Sequence, residues 1–122
     1  MQTYILIGDI YLARKQWQEV IPIYQKAVEL NPGFVQGWSA MGYAYSQLGD
    51  WDEAIAANIK VLELAPDDYS TLKNLAILYN QSQRPAEALT YTLRALEVAP
   101  EGDKAALESF VQQLRGQATG GQ

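Results

Sequence analysis

The sequence contains no histidine and no cysteine in its 122 residues. Without them the chain cannot form a disulfide, a Ser–His or Cys–His nucleophile pair, or a metal site with His or Cys ligands. Its clustered carboxylates, Asp50, Asp52 and Glu53 and the pair Asp67–Asp68, stand where helices are predicted to begin, and helix capping explains them. We therefore predict that this chain is not an enzyme and uses no cofactor or metal ion.

Basic residues are also scarce. Nine Lys and Arg oppose 14 Asp and Glu, so the net charge is −5. Nucleic acids and anionic lipids require a basic surface, and neither is predicted as a partner. No apolar run is long enough to cross a bilayer, which predicts no direct membrane insertion by this segment. We expect a cytoplasmic or cytoplasm-facing protein, with membrane tethering through an N-terminal segment beyond this sequence as an alternative.

What the sequence does contain is a repeat. Residues of like kind recur at an interval of about 34 positions, and each triplet suits one mechanical task. Small residues allow two helices to approach closely, large aromatic residues fill the groove between helices, and proline ends a unit because it lacks an N–H donor. The recurring sets are Gly8, Gly42 and Ala76; Tyr11, Tyr45 and Tyr79; Val20, Ala54 and Ala88; and Pro32, Pro66 and Pro100.

This spacing and residue set resembles the tetratricopeptide repeat, a helix–turn–helix unit. The resemblance covers three repeats, at about residues 1–34, 35–68 and 69–102. It implies an all-α fold, a right-handed α-solenoid (alpha-alpha superhelix) of antiparallel helix pairs. Two positions depart from the family pattern. Its bulky aromatic is present as Tyr24 but replaced by Asn58 and Thr92, and its turn glycine is present as Gly49 but replaced by Lys15 and Gln83.

A seventh helix follows the repeats. Leu107, Phe110, Val111 and Leu114 are spaced i, i+3, i+4, i+7, which predicts an amphipathic helix that covers the last repeat. We predict one domain over residues 1–115, with the capping helix at 103–115. Gly116 is predicted to end that helix and residues 116–122 to form a disordered tail.

The first helix is apolar around most of its circumference, with Ile5, Leu6, Ile7 and Ile10 in one short stretch. Helices of this kind are normally covered on more than one side. We therefore expect further protein on the N-terminal side, or self-association through this helix.

The resemblance also implies a binding surface, because first helices of successive repeats line a concave groove in this family. Tyr43 is the strongest single candidate, since large amphipathic side chains dominate binding energies. The groove residues carried onto this chain are Ile5, Asp9, Leu12, Gln36, Ser39, Tyr43, Ser46, Gln47, Lys73, Asn74, Ile77, Asn80 and Gln81.

Chaperone-binding members of the family hold a carboxylate with Lys, Asn and Arg. The matching positions here are Ile5, Asp9, Tyr43, Ser70 and Asn74, which lack the cations, so a chaperone-tail adaptor is not predicted. The predicted function is a protein–protein interaction scaffold that binds a peptide or helical segment of a partner protein. Two alternatives remain open. One is an assembly or oligomerisation module, similar to the photosystem-assembly factors that also carry three such repeats. The other is the regulatory domain of a larger enzyme.

Overall fold

A computed structural model describes the backbone of residues 1–120 and the side chains of residues 1–117. Over this range the chain forms seven α-helices and no strand, which confirms the all-α prediction. The helices are α1 (Gln2–Ala13), α2 (Trp17–Leu30), α3 (Val35–Gln47), α4 (Trp51–Leu64), α5 (Tyr69–Gln81), α6 (Pro85–Val98) and α7 (Glu101–Gly120).

The turn inside each repeat has the same geometry, whether or not it contains glycine. Lys15, Gly49 and Gln83 occupy the same repeat position and have φ values of 58°, 78° and 63°. This left-handed backbone lets the next N–H reach back to a carbonyl of the preceding helix, as in the Schellman motif. Those bonds are Gln16 N to Tyr11 O (2.9 Å), Asp50 N to Tyr45 O (3.0 Å) and Arg84 N to Tyr79 O (2.8 Å).

The chain divides into two compact units, Met1–Leu64 and Ala65–Gln122. In the first unit, α2 lies between α1 and α3, and α4 packs on α3. Its core is formed by residues from α2 and α3, and Tyr4, Tyr11 and Leu12 of α1 pack against it. The buried core residues of this cluster are Val20, Tyr24, Ala27, Val28, Met41 and Ala44.

Close approach of helices in this unit depends on glycines, among them Gly8 of α1 and Gly42 of α3. A Cβ at Gly8 would lie 2.4 Å from Cε2 of Tyr24, and a Cβ at Gly42 would lie 2.7 Å from Nδ2 of Asn58. Both distances are below 3.0 Å, so a side chain at either position would force its neighbour to shift. Tyr24 and Asn58 occupy equivalent positions in their repeats. Asn58 therefore packs against Gly42 as Tyr24 packs against Gly8.

In the second unit, α6 packs on both α5 and α7. Asp68 caps α5, since its Oδ2 accepts a 3.0 Å bond from the N–H of Thr71. This confirms the capping interpretation of Asp67–Asp68 for the second carboxylate of the pair. Thr92, at the position of Asn58, is buried and donates its hydroxyl to the Ala88 carbonyl at 2.7 Å. The unit's largest fully buried side chains are Leu72, Leu75, Leu114 and Thr92.

The end of α7 differs from the prediction. The helix continues through Gly116 to Gly120, so residues 116–120 are helical and do not begin a disordered tail. A glycine in a helix interior costs only about 1 kcal/mol relative to alanine, which is too little to end a helix by itself. The predicted tail residues 121–122 lie outside the described residues. The single domain over residues 1–115 remains a prediction.

Candidate functional site

The predicted groove residues all lie on the first helices of the repeats. In the first unit they are Ile5, Asp9 and Leu12 on α1 and Gln36, Ser39, Tyr43, Ser46 and Gln47 on α3. In the second unit they are Lys73, Asn74, Ile77, Asn80 and Gln81 on α5. One groove shared by all of these residues remains a prediction.

Four of the α3 residues form one exposed line, which we call the α3 stripe: Gln36, Ser39, Tyr43 and Gln47. Their spacing of i, i+3, i+7 and i+11 places them on a single helix face. The stripe carries no charge, and only Tyr43 is large. Ser46 stands beside the stripe and donates its hydroxyl to the Tyr43 carbonyl at 2.7 Å. The face therefore offers one aromatic side chain among short amides and hydroxyls.

Tyr43 is held in place by an aromatic contact. Its side chain is 54% exposed, yet its ring meets Trp17 edge to face, with centroids 5.3 Å apart and planes at 88°. Trp17 is itself packed against the core of the first unit. An edge-to-face pair of this kind contributes about 0.5–1.5 kcal/mol beyond its buried area. Tyr43 is thus an accessible but oriented aromatic, and sequence reasoning did not identify Trp17 as its support.

Asp9 has a structural partner that sequence reasoning missed. The hydroxyl of buried Tyr24 donates a hydrogen bond to Oδ1 of Asp9, which ties α2 to α1. Burial raises the pKa of Tyr24, and the bond to Asp9 raises that pKa further. Asp9 therefore fixes the position of the Tyr24 ring. Its carboxylate is also exposed, so this part of the α1 surface is acidic. Ile5 and Leu12, the other α1 candidates, are half-buried.

In the second unit, α5 carries the equivalent stripe, Ser70, Lys73, Ile77 and Gln81, in the register of the α3 stripe. Asn74 is exposed beside this line and Asn80 is half-buried. Lys73 and Ile77 also border a cavity of about 290 Å³, which we call the α5–α7 pocket. From α5 its lining includes Tyr69, Lys73, Ala76 and Ile77. From α7 its lining includes Asp103, Ala106, Leu107 and Phe110.

The polar groups of the α5–α7 pocket are linked to one another. The Tyr69 hydroxyl donates to Oδ2 of Asp103 at 2.7 Å, and the Lys73 ammonium lies 5.4 Å from the centroid of the Tyr69 ring. The bond to Asp103 is the main reason that the pKa of Tyr69 is raised to about 12, with smaller contributions from burial and from the Asp103 charge. Tyr69 and Asp103 are 34 residues apart, one repeat, which was the only sequence signal that could have paired them.

Two further properties of the described residues bear on function. Within the described residues, no group of three or more His, Cys, Asp or Glu is placed to hold a metal ion. No helix in that same part of the chain is long and apolar enough to cross a membrane.

Comparison with known proteins identifies the family. The family model described as Tetratricopeptide repeat matches residues 35–101, and a second, described as TPR repeat, matches residues 8–49. The chain belongs to the tetratricopeptide repeat family. It is also 40% identical over 47 residues to the BBSome complex member BBS4 of Bos taurus. That match covers 38% of this chain and 9% of the bovine protein.

Solved structures agree on the fold. MamA from MSR-1 is 27% identical, with a TM-score of 0.75 over 79% of this chain and 55% of MamA. The TPR2B domain of yeast Sti1 is 21% identical with a TM-score of 0.79, over 95% of this chain and 96% of that domain. SycD of Yersinia enterocolitica is 13% identical with a TM-score of 0.83, over 93% of this chain and 91% of SycD. The predicted class, an all-α solenoid of helix pairs, is confirmed, and family membership supports a general role in protein–protein interaction.

Proposed function

We propose that this chain is a scaffold that binds an extended or helical segment of another protein through the exposed faces of its first helices. The observation that carries the proposal is Tyr43, a large side chain that is 54% exposed and yet oriented by Trp17. An exposed aromatic that is already ordered loses little conformational entropy on binding. Such residues are the typical anchors of protein interfaces.

The chemistry around Tyr43 favours a particular kind of segment. The α3 stripe is uncharged, Asp9 is the acidic group of α1, and the chain as a whole carries a net charge of −5. An acidic peptide would be repelled at long range, whereas a neutral or weakly basic one would not. The partner segment is therefore neutral or weakly basic and carries apolar anchors. Its affinity depends only modestly on salt, because few ion pairs are available to be screened.

Two structural neighbours support peptide binding at the level of the fold. The TPR2B domain of Sti1 was solved as a complex with pHsp70, and SycD was solved with a peptide of the translocator YopD. The carboxylate-binding cations of the chaperone adaptors are not carried over, since Ile5, Asp9 and Tyr43 stand at three of those positions. The neighbours thus support the mode of binding and leave the chemistry to the residues of this chain.

The test is affinity capture with the full chain, followed by mass spectrometry of the proteins retained. Tyr43→Ala should lose the specific partners, because removing a central anchor costs roughly 1–2 kcal/mol or more. Leu30→Ala is the matched control, since Leu30 is also apolar and 62% exposed but lies at the end of α2. If both variants retain the same proteins as the wild type, Tyr43 is not the anchor and the proposal fails.

A second candidate function, self-association, is favoured by α1. Leu6 and Ile10 are 58% and 50% exposed, whereas Ala44, which occupies the position of Ile10 in the next repeat, is fully buried. The face of α1 that carries Ile10 therefore corresponds to a covered face of α3. Sedimentation velocity at increasing concentration tests this function. The wild type should associate, Ile10→Lys should not, and Leu30→Lys should behave as the wild type. A monomeric wild type would exclude this candidate.

A further inference from the structure

We propose that the α5–α7 pocket is a binding site for a single apolar side chain of a partner protein, with an adjacent Asp or Glu side chain paired to Lys73. This inference rests on the proposed role in protein binding but not on Tyr43 or the first unit. The pocket lies entirely within the second unit, and it contains two residues, Lys73 and Ile77, that sequence reasoning placed on a binding surface.

The size of the pocket suits a side chain better than a cofactor. Its volume of about 290 Å³ falls at the lower limit of the ~300–1,000 Å³ range typical of small-molecule sites. Ala76 and Ala106 leave this space open, because each contributes only a methyl group where two helices face one another. Leu107 and Phe110 supply an apolar wall. A pocket of this kind fits one anchor residue such as Phe or Leu.

Two of the residues that line the pocket are joined by a hydrogen bond between its two helices. The 2.7 Å bond from Tyr69 to Asp103 joins the first residue of α5 to the first turn of α7. It uses the Tyr69 hydroxyl and one oxygen of the Asp103 carboxylate. These two groups satisfy each other, so the pocket does not need a ligand to satisfy them.

Lys73 is different, because it has no carboxylate partner among the described residues. Its ammonium faces only the Tyr69 ring, at 5.4 Å from the centroid. Nearby Lys104, in contrast, is paired with Glu101 at 2.9 Å. A cation beside an apolar pocket complements a ligand that joins an apolar side chain to one negative charge. A single carboxylate is compatible with the net charge of −5, which opposes a strongly acidic segment.

The probe is the blocked tetrapeptide acetyl-Gly-Phe-Glu-Gly-amide, titrated into the isotopically labelled full chain and followed by NMR. Saturable shifts should appear at Ile77, Ala106 and Phe110. Ala106→Trp, or Ala106→Leu if the larger variant does not fold, should fill the pocket and abolish these shifts. Ala105→Trp is the matched control, because Ala105 is the neighbouring exposed alanine of α7 and does not line the pocket; it should bind as the wild type. Equal binding by the Ala106 and Ala105 variants, or no binding by the wild type, overturns the proposal.

The charge is tested separately. Replacing Glu by Gln in the probe should weaken binding about 2- to 5-fold, the effect of one exposed ion pair. Lys73→Gln should make the two probes equal. If the Gln probe binds the wild type as well as the Glu probe, Lys73 does not select a carboxylate. If acetyl-Gly-Gly-Gly-Phe with a free C-terminus binds more tightly than the Glu probe, the carboxylate belongs to a chain end, which overturns the assignment to an Asp or Glu side chain.

Tyr43→Ala should bind the tetrapeptide as the wild type does. A failure of this inference is therefore distinguishable from a failure of the proposed function. The pocket proposal fails when the probe does not bind in the second unit, and the proposed function fails when the Tyr43 variant retains every captured partner.

Discussion

Gly8→Ala provides the sharpest test of how the repeats pack. A methyl group at Gly8 would lie 2.4 Å from Cε2 and 2.8 Å from Cζ of Tyr24. The ring cannot move away easily, because it is buried, its hydroxyl is bonded to Asp9, and it stacks on Phe34 with centroids 6.5 Å apart. The added methyl must therefore displace α1 or distort the Tyr24 side chain.

The expected magnitude combines two opposing terms. Overpacking a well-filled site costs about 1–3 kcal/mol. To reach ordinary contact distance, the added methyl group and the Tyr24 ring must move apart by about 1 Å or more, so Gly8→Ala falls near the upper end of that range. Alanine in place of glycine in a helix returns about 1 kcal/mol. The net loss of unfolding free energy is about 1–2 kcal/mol, or roughly 5–10 °C in melting temperature.

Thermal and urea unfolding monitored by circular dichroism would measure this loss. Gly116→Ala is the control, because Gly116 is also helical but no heavy atom lies within 4 Å of a Cβ added there. This substitution should stabilise the protein by about 0.5–1 kcal/mol. In a Tyr24→Thr background, which reproduces the Ala76 and Thr92 combination of the third repeat, Gly8→Ala should become neutral or stabilising. If Gly8→Ala raises the melting temperature in the wild-type background, the ring contact does not limit packing.

Two other predictions follow from the turns and from the second unit. Gly49→Ala should destabilise the protein by about 1 kcal/mol through backbone strain alone, because φ is 78° and nothing lies within 4 Å of the added Cβ. Lys15→Gly should stabilise the protein, because it relieves the corresponding strain at Lys15. Urea unfolding that ranks the two variants in the opposite order would contradict this. In the folded protein the bond to Asp103 raises the pKa of Tyr69 from its ordinary value of 10.0 to about 12, so folding favours the neutral phenol. Its contribution to stability is complete below pH 10 and is lost as the pH rises towards 12. Between pH 10 and pH 12 the free energy of unfolding should therefore fall more steeply for the wild type than for Tyr69→Phe. Parallel curves for the two proteins would show that the Asp103 bond has no such effect.

Asn58 and Thr92, which replace the aromatic of the family pattern, stand where the second helix of a repeat packs against a small residue of the first helix. The first repeat pairs Gly8 with the Tyr24 ring, and the second pairs Gly42 with the shorter Asn58. Asn58 and Thr92 are buried, and each bonds the carbonyl four residues earlier in its own helix, at 2.9 Å and 2.7 Å. A polar residue can replace the aromatic in the core because the helix backbone itself satisfies its donor.

The sequence by itself determined the all-α class and the register of the repeats. These features depend on local chemistry that repeats along the chain: apolar spacing selects the buried face of each helix, and Pro and Asp mark the ends. It also placed Tyr43 and Ile77, which are exposed, on the outer faces of α3 and α5, because the register alone decides which way each position points.

Only the tertiary structure decided which side chains meet. Asp9 and Tyr24 are 15 residues apart, and Tyr69 and Asp103 are 34 apart; neither pair has a local signature, since each depends on how far two helices are offset along their axes. The pocket likewise depends on the distance between α5 and α7, which no periodicity specifies. The left-handed turns at Lys15 and Gln83 show the same limit, because the hydrogen bonds and packing of the flanking helices impose a backbone conformation that neither residue prefers.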